Sequence, residues 1–250
     1  MPEVLPADLE SVVGRVTVPD PRDDDGPPAG LTGELGALHA WWTRVSDGSA
    51  PRAAIVESTD AETATDAVRQ GVAAADRAID AGATLLIPHC TSRAPVAAMT
   101  IVGLMSRTEP PALVDQPRGM TDRDWMARCA AVRDGVVEVA ELRAAPVQLL
   151  TALEAAHIAF VAGALLGASA RRTPSLVEGT DELAAALVAD RLSFRAREWW
   201  RAGSTSPDPA RLAAVERLDL APGLPLGLTD DDGRGAEATV ALLALLAEGP

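Results

Sequence analysis

Two hydroxyl side chains and a guanidinium stand side by side at Thr91, Ser92 and Arg93. The apolar run 84–87 before them is typical of a short buried strand, and Pro95 suits the first turn of the helix that follows. A strand that runs into a helix places such groups beside backbone N–H donors and the positive end of the helix dipole. The pattern predicts either an anion site or a simple helix cap formed by Thr91 or Ser92.

Carboxylates follow two other turns of the chain. Glu178 and Gly179 come directly after the apolar run 175–177, where a strand is predicted to end. Asp232 closes an acidic turn before Gly233. A carboxylate beside a reacting base can take its proton. For Asp232 the alternative interpretation, a solvated surface turn, stays open.

Cysteine and lysine chemistry find little support in the sequence. Cys90 and Cys129 lie in unrelated contexts, so neither a disulfide framework nor a zinc pattern is predicted. His89 adjoins Cys90, but a nucleophile pair or metal site would need a further ligand, and a structural role is favoured. The chain contains no Lys, which removes Schiff-base chemistry. We therefore predict no metal and no cofactor.

The composition restricts the partners. The formal net charge of -14 repels a phosphate backbone, so no nucleic-acid partner is expected. The most apolar stretch, 158–170, is shorter than the roughly 20 residues that span a bilayer, so no membrane partner is expected either. No basic segment followed by an apolar run opens the chain, and cytoplasm is the expected location. An anionic substrate stays possible if a few Arg residues converge locally.

Short apolar runs alternate with amphipathic segments along the chain. Strands are predicted at 52–57, 84–87, 112–114 and 175–177. Helices are predicted at 5–16, 35–45, 59–81 with Asp60 as N-cap, 94–106, 122–142, 147–171 with a possible break, 181–189, 193–201, 210–217 and 236–247. The alternation favours an α/β fold with a parallel sheet covered by helices in a Rossmann-like three-layer arrangement. Ligands of such sheets bind beyond the carboxyl ends of the strands.

Six segments, in chain order, resemble the nicotinate-nucleotide:dimethylbenzimidazole phosphoribosyltransferases of cobamide assembly. They are 33–41 (GxLGxLExLAxW), 66–87 (the run before GEMGIGNTT), 119–128 (RGTGxDD), 153–163 (GGxEIAxxxG), 174–179 (a strand ending in Asp-Gly) and 218–236 (LxLxPLLDL and GEGTGA). The resemblance covers roughly 30–247. One gap interrupts it, because the family carries a long insert with an AGDHG motif where this chain has only 48–65.

The resemblance implies a reaction and a set of site residues. In the family, a benzimidazole nitrogen displaces nicotinate from the ribose C1′ of nicotinate mononucleotide, which needs a proton acceptor and a grip on the 5′-phosphate. Asp232 stands where the family has the catalytic Glu, and the aligned phosphate loop has lost its glycines. The positions that match the family's substrate-binding segments are Thr91, Ser92, Arg93, Arg118, Gly119, Glu178, Gly179 and Ser204.

Three functional hypotheses follow from this resemblance. The chain is a divergent phosphoribosyltransferase, a catalytically inactive relative that serves as a partner subunit or small-molecule binding protein, or a protein with new chemistry such as nucleotide hydrolysis. The family also implies a small-molecule nucleotide or base as the ligand. It further implies a homodimer or a heteromer with a full-length paralogue, for which the helix from Val147 is expected to supply an exposed face. We expect one domain over 1–250, in which 1–48 and the C-terminal helices form a small helical subdomain.

Overall fold

The computed structural model of the protein describes residues 4–20, 31–229 and 233–247. Five parallel strands form one sheet in the sequential order β1-β2-β3-β4-β5. The strands are β1 (Ala53–Glu57), β2 (Leu85–His89), β3 (Ser175–Val177), β4 (Trp200–Ser204) and β5 (Pro222–Leu224). The predicted α/β class with a parallel, helix-covered sheet is confirmed. Because all strands run the same way, their carboxyl ends lie along one edge.

Helices connect and cover these strands. They are α1 (Ala7–Arg15), α2 (Gly33–Val45), α3 (Ala64–Asp80), α4 (Pro95–Ser106), α5 (Asp122–Glu138), α6 (Pro146–Ala152), α7 (Ala156–Ala170), α8 (Thr180–Leu192), α9 (Pro209–Leu218) and α10 (Arg234–Ala247). Pro95 occupies the first turn of α4, as predicted. The helix predicted to start after Asp60 begins later, because the Thr63 side chain accepts the Asp66 N–H and caps α3. None of the helices within the described ranges is long and apolar enough to cross a membrane.

Tertiary contacts overrule the sequence pattern in two regions. The predicted strand at 112–114 is absent, since Pro110–Ala112 forms a single 3₁₀ turn. The predicted helix at 193–201 is also wrong: a 3₁₀ turn leads into β4, which pairs with β3. The Trp199 indole donates to the Thr17 carbonyl at 2.6 Å and the Trp200 indole to Ser169 Oγ at 3.0 Å. These partners are distant in sequence, so no local pattern encodes them.

Helix α7 lies in the interior rather than at a surface. Residues 158–169 are all buried, so the predicted exposed helical face for a dimer is not present on this helix. The two tryptophan pairs lie in the interior as well. Both pairs are buried, with exposed fractions of 6% and 2% for Trp41 and Trp42 and of 4% and 3% for Trp199 and Trp200.

Two glycines allow α3 and α7 to pack backbone to backbone. A Cβ on Gly163 would overlap the carbonyl of Val68, and one on Gly71 would overlap the carbonyl of Phe160. Backbone atoms cannot rotate away as a side-chain end can. We expect Gly163→Ala to lower the free energy of unfolding by about 1–3 kcal/mol or more, measured by urea unfolding. Gly14→Ala in α1, where the added methyl meets open space, is the matched control and should be neutral or slightly stabilising.

Asp190 on α8 makes stability depend on pH. Burial raises the pKa of this carboxyl, partly opposed by Arg197, whose Nε lies 4.0 Å from Oδ1. Folding therefore favours the protonated form, so the favourable contribution exists below the unfolded pKa of about 3.9 and is lost as pH rises through the folded value. We expect Asp190→Asn to gain stability relative to wild type between pH 4 and 7 in urea unfolding. The exposed Asp115→Asn should show no such gain.

Helix α2 packs against the C-terminal part of the chain. Helix α2 contacts α10 and β5, and the Arg201 guanidinium donates to the α2 carbonyl of Ala37 at 3.3 Å. Arg201 also stacks over Trp41 at 5.7 Å from the ring centroid. Burial lowers the pKa of Arg201 to about 10. The helical subdomain from both termini stays a proposal, which these contacts support.

Candidate functional site

Glu178 marks the carboxyl end of β3, in the middle strand of the sheet. Its side chain is 8% exposed. The next residue, Gly179, has a φ of 105°, which a residue with a side chain rarely adopts. This turn ends the strand, starts α8 and leaves the Glu178 carboxylate beyond the strand ends, where parallel sheets bind their ligands.

Two donors hold the Glu178 carboxylate. The Ser204 hydroxyl at the end of β4 donates to Oε1 at 2.7 Å, and the Ala236 N–H in the first turn of α10 donates to Oε2 at 2.7 Å. The N-terminus of α10 carries partial positive charge, which stabilises an anion there. Three segments that the sequence separates, at 178, 204 and 236, therefore meet at one carboxylate.

Gly235 makes this meeting possible. A Cβ at position 235 would overlap the Glu178 carboxylate and the Ser204 hydroxyl. Only a residue without a side chain lets the α10 N-terminus approach so closely. The family-like tail, Gly233 to Ala236, thus acts through its backbone.

A cleft opens beside Glu178 between β3, β4 and the helices α8 and α9. It encloses about 490 Å³ when the space at its open mouth is included. Its wall is mainly apolar, with Val177, Leu183, Leu212 and Val215. The polar groups in the wall are Glu178, Ser204, Thr205, Ser206 and Arg211. Such a cleft, apolar with few polar groups, is typical of a site for a small aromatic ligand.

Arg211 brings a cation to the cleft. Its side chain donates to the Thr229 carbonyl at 3.0 Å and to Thr180 Oγ1 at 3.4 Å. Burial lowers the pKa of Arg211, while Asp208 and Glu178 oppose the shift. The guanidinium stays charged and lies in the electrostatic range of Glu178.

The loop after β2 contains the predicted anion-binding groups. Their hydrogen-bond donors bind carboxylates of the protein itself. The Cys90 N–H donates to Glu182 Oε1 at 2.9 Å, and Arg93 Nη1 lies 2.9 Å from both Glu182 oxygens. The Ala94 N–H donates to Asp181 Oδ1 at 3.0 Å. Both carboxylates come from the first turn of α8. They are 0% and 2% exposed for Glu182 and Asp181.

Two imidazoles complete this carboxylate cluster. His89 Nδ1 lies 3.2 Å from Glu182 Oε1, and His157 Nε2 lies 3.1 Å from Asp181 Oδ1. His157 is therefore held against α8 by a hydrogen bond. A further unit of negative charge at roughly 4 Å from such a carboxylate costs about 4 kcal/mol at an effective dielectric constant of 20.

Thr91 and Ser92 have different surroundings in this loop. The Thr91 N–H donates to Ser58 Oγ at 2.9 Å, and the Thr91 hydroxyl donates to the Ser58 carbonyl at 3.0 Å. Thr91 thus joins the ends of β1 and β2. Ser92 is exposed.

Cys90 is not a nucleophile in this environment. The thiol is buried, and burial raises its pKa, with Glu182 and Asp181 adding to the effect. The protonated thiol points to the His157 carbonyl, with 3.8 Å between Sγ and O. No group of three or more His, Cys, Asp or Glu side chains that could hold a metal occurs in the described part of the chain.

The remaining predicted residues lie elsewhere. Arg118 and Gly119 occupy an exposed turn before α5, and within 31–229 Arg118 has no hydrogen bond or ion pair. Asp232 lies outside the described residues. Sequence reasoning missed Asp181, Glu182 and Gly235. An acidic first turn is ordinary in a helix, so the only available signal was that two carboxylates follow Glu178 by one helical turn.

Comparisons with known proteins identify the family of the chain. A family model described as a phosphoribosyltransferase matches residues 34–248. The chain belongs to the nicotinate-nucleotide–dimethylbenzimidazole phosphoribosyltransferase family. It is 37% identical to the family member from Streptomyces avermitilis over 83% of this chain and 56% of that protein. It is 40% identical to the member from Mycobacterium ulcerans over 76% of this chain and 52% of that protein.

A solved structure shows the same relation. CobT from Thermus thermophilus superposes with a TM-score of 0.67 at 26% identity, covering 74% of this chain and 56% of that one. The chain thus spans about half the length of the relatives that it matches. The predicted family assignment is confirmed.

Proposed function

We propose that this chain catalyses the reaction for which its relatives are named, the transfer of a phosphoribosyl group from nicotinate mononucleotide to a dimethylbenzimidazole-type base. The observation that carries the proposal is the Glu178 carboxylate, held by Ser204 and the α10 N-terminus at the edge of an apolar cleft. A flat, uncharged aromatic base matches apolar walls, and its N–H matches a carboxylate acceptor.

The transfer step can be written with every bond and proton accounted for. One benzimidazole nitrogen forms a bond to the ribose C1′ with its lone pair. The bond from C1′ to the nicotinate nitrogen breaks, and its electron pair returns to that ring as the pyridinium becomes a neutral pyridine. The other benzimidazole nitrogen releases its proton to Glu178. Each Glu178 oxygen accepts one described hydrogen bond, so lone pairs are left for this proton.

Asp232 stays a second candidate for the proton acceptor. It precedes the Gly233–Ala236 segment whose end contacts Glu178. Separate substitutions distinguish the two. If Glu178 takes the proton, Glu178→Gln loses activity and Asp232→Asn keeps most of it; the reverse result assigns the role to Asp232.

Release of nicotinate from nicotinate mononucleotide in the presence of dimethylbenzimidazole tests the proposal. Chromatographic detection of both nicotinate and the ribosylated base should show equal amounts of the two products. Nicotinate release without the second product would indicate hydrolysis instead. No product, together with no calorimetric binding of dimethylbenzimidazole, would refute the proposal.

The assembly and the location of the chain complete the proposal. We propose that the chain works as a homodimer or beside a full-length paralogue in the cytoplasm, with small molecules as its ligands. Sedimentation of the pure chain, alone and mixed with a full-length family member, tests this.

A further inference from the structure

Arg211 is a buried cation in the wall of the cleft. It is 4% exposed and lies in the first turn of α9, where the N-cap Asp208 accepts its backbone N–H at 2.9 Å. Side chains of a helix lean toward the helix N-terminus, and α9 begins at the carboxyl ends of the strands. The guanidinium therefore reaches the end of the cleft that contains Glu178.

Two hydrogen bonds fix the direction of the Arg211 side chain. Its Nε donates to Thr180 Oγ1 at 3.4 Å, and its Nη2 donates to the Thr229 carbonyl at 3.0 Å. Thr180 is the first residue of α8 and follows Glu178 by two positions. The place of the guanidinium relative to Glu178 is therefore set by the same turn that positions the carboxylate.

Glu178 has no charged donor among its described hydrogen bonds. Its oxygens accept from the Ser204 hydroxyl and the Ala236 N–H, which are both neutral groups. Burial and neighbouring negative charges each favour the protonated form of a carboxyl group. Asp181 and Glu182 follow within four residues. A protonated Glu178 could not take a proton from an incoming base, so the site needs a compensating positive charge.

The two arginines near these carboxylates have different places. Arg93 Nη1 lies 2.9 Å from both Glu182 oxygens and contacts that carboxylate directly. Burial lowers the pKa of Arg211, and attraction to Glu178 is among the interactions that oppose this shift. A guanidinium in direct contact would occupy the lone pairs of Glu178. A guanidinium beside the carboxylate stabilises its charge and leaves lone pairs for a proton.

We propose that Arg211 is a positioning residue whose charge keeps the Glu178 carboxylate ionised and able to accept a proton. The inference rests on the proposed function, in which Glu178 takes the proton of the incoming base. An Arg suits this role because it stays charged when buried. Other charged or titratable side chains occur on the elements around Glu178: Asp181 and Glu182 on α8, Asp208 at the start of α9, His89, Cys90 and Arg93 at the end of β2, His157 on α7, and Arg234 and Glu237 on α10. They are the same in every Arg211 variant, so a difference between variants reports Arg211.

The pH dependence of kcat/KM tests this role. Without the cation, Glu178 stays protonated to higher pH, so activity is lost earlier as the pH falls. We expect the ratio of kcat/KM at about pH 5.5 to that at about pH 7.5 to be at least about threefold lower in Arg211→Gln than in wild type. Arg211→Lys keeps the charge and should restore the ratio.

An exposed arginine of the same helix supplies the matched control. Arg217→Gln, in the last turn of α9, should leave the ratio unchanged. An equal loss of activity at both pH values in Arg211→Gln would show a purely structural role and overturn the inference. Arg211→Met fills similar space without a charge and replaces Arg211→Gln if that variant does not fold.

A direct titration separates this inference from the proposed function. If wild type shows no transfer, the proposed function fails, and ¹³C NMR of the Glu178 carboxyl, assigned by comparison with Glu178→Gln, decides the inference. The midpoint of its titration should lie about one pH unit or more higher in Arg211→Gln than in wild type, and should return in Arg211→Lys. Equal midpoints in wild type and Arg211→Gln would overturn the inference.

Discussion

Glu178→Gln should lower kcat for ribosyl transfer by about 10²- to 10⁴-fold, the usual contribution of a positioned general base. The amide keeps the size of the side chain but cannot take a proton from the incoming base. The expected change lies in kcat more than in KM for dimethylbenzimidazole, because the apolar walls of the cleft are unchanged. Steady-state kinetics with varied base measures both.

The control for Glu178→Gln must separate chemistry from folding. The Gln oxygen can accept from the Ala236 N–H while its amide N–H donates to the Ser204 hydroxyl, so both contacts can persist and the expected loss of stability is about 1 kcal/mol or less. Urea unfolding of the variant reports this loss. Glu57→Gln, at the exposed end of β1, alters a carboxylate outside the cleft and should leave kcat unchanged. Full activity of a folded Glu178→Gln protein would exclude Glu178 as the base.

Gly235→Ala should reduce ribosyl transfer by about a hundredfold while the chain stays folded. The added methyl overlaps the Glu178 carboxylate and Ser204 Oγ, so one of them must move. A displacement of about 1 Å at a reacting group can cost this factor. The Glu178 carboxylate remains present, so the loss would measure its position. Kinetics and unfolding are compared on the same preparation.

Two further substitutions serve as controls for Gly235→Ala. Gly14→Ala gives the effect of an added methyl where nothing is displaced. Ser204→Gly removes both the hydroxyl and the Cβ that the added methyl would overlap, together with one hydrogen bond from Glu178. In the double variant Ser204→Gly/Gly235→Ala, part of the lost activity should return if crowding is the cause. An equal or greater loss in the double variant would contradict this explanation.

The sequence by itself determined the family and most of the fold. The order of six family-like segments indicated the family, and apolar runs alternating with amphipathic ones predicted the parallel sheet. Burial of a whole strand and the 3.6-residue period of a helix are local properties, so they are visible in a single chain. Glu178 and Gly179 were predicted correctly as a strand end for the same reason.

Only the tertiary structure decided which groups share a site and what they do there. Strand β4 pairs with β3 and β5, and the Trp199 and Trp200 indoles donate to groups far away in the chain. This pairing places Ser204 beside Glu178. Long-range contacts of this kind have no local pattern. Short-range propensity therefore predicted a helix there.

The loop after β2 shows the difference most clearly. Thr91, Ser92 and Arg93 have the composition of an anion site, and the sequence offered two interpretations of them. The structure brings Asp181 and Glu182 to the donors of that loop, from 87 and 92 residues further along the chain. Whether a donor is free for a ligand depends on what the fold places opposite it, and residue type and spacing do not contain that information.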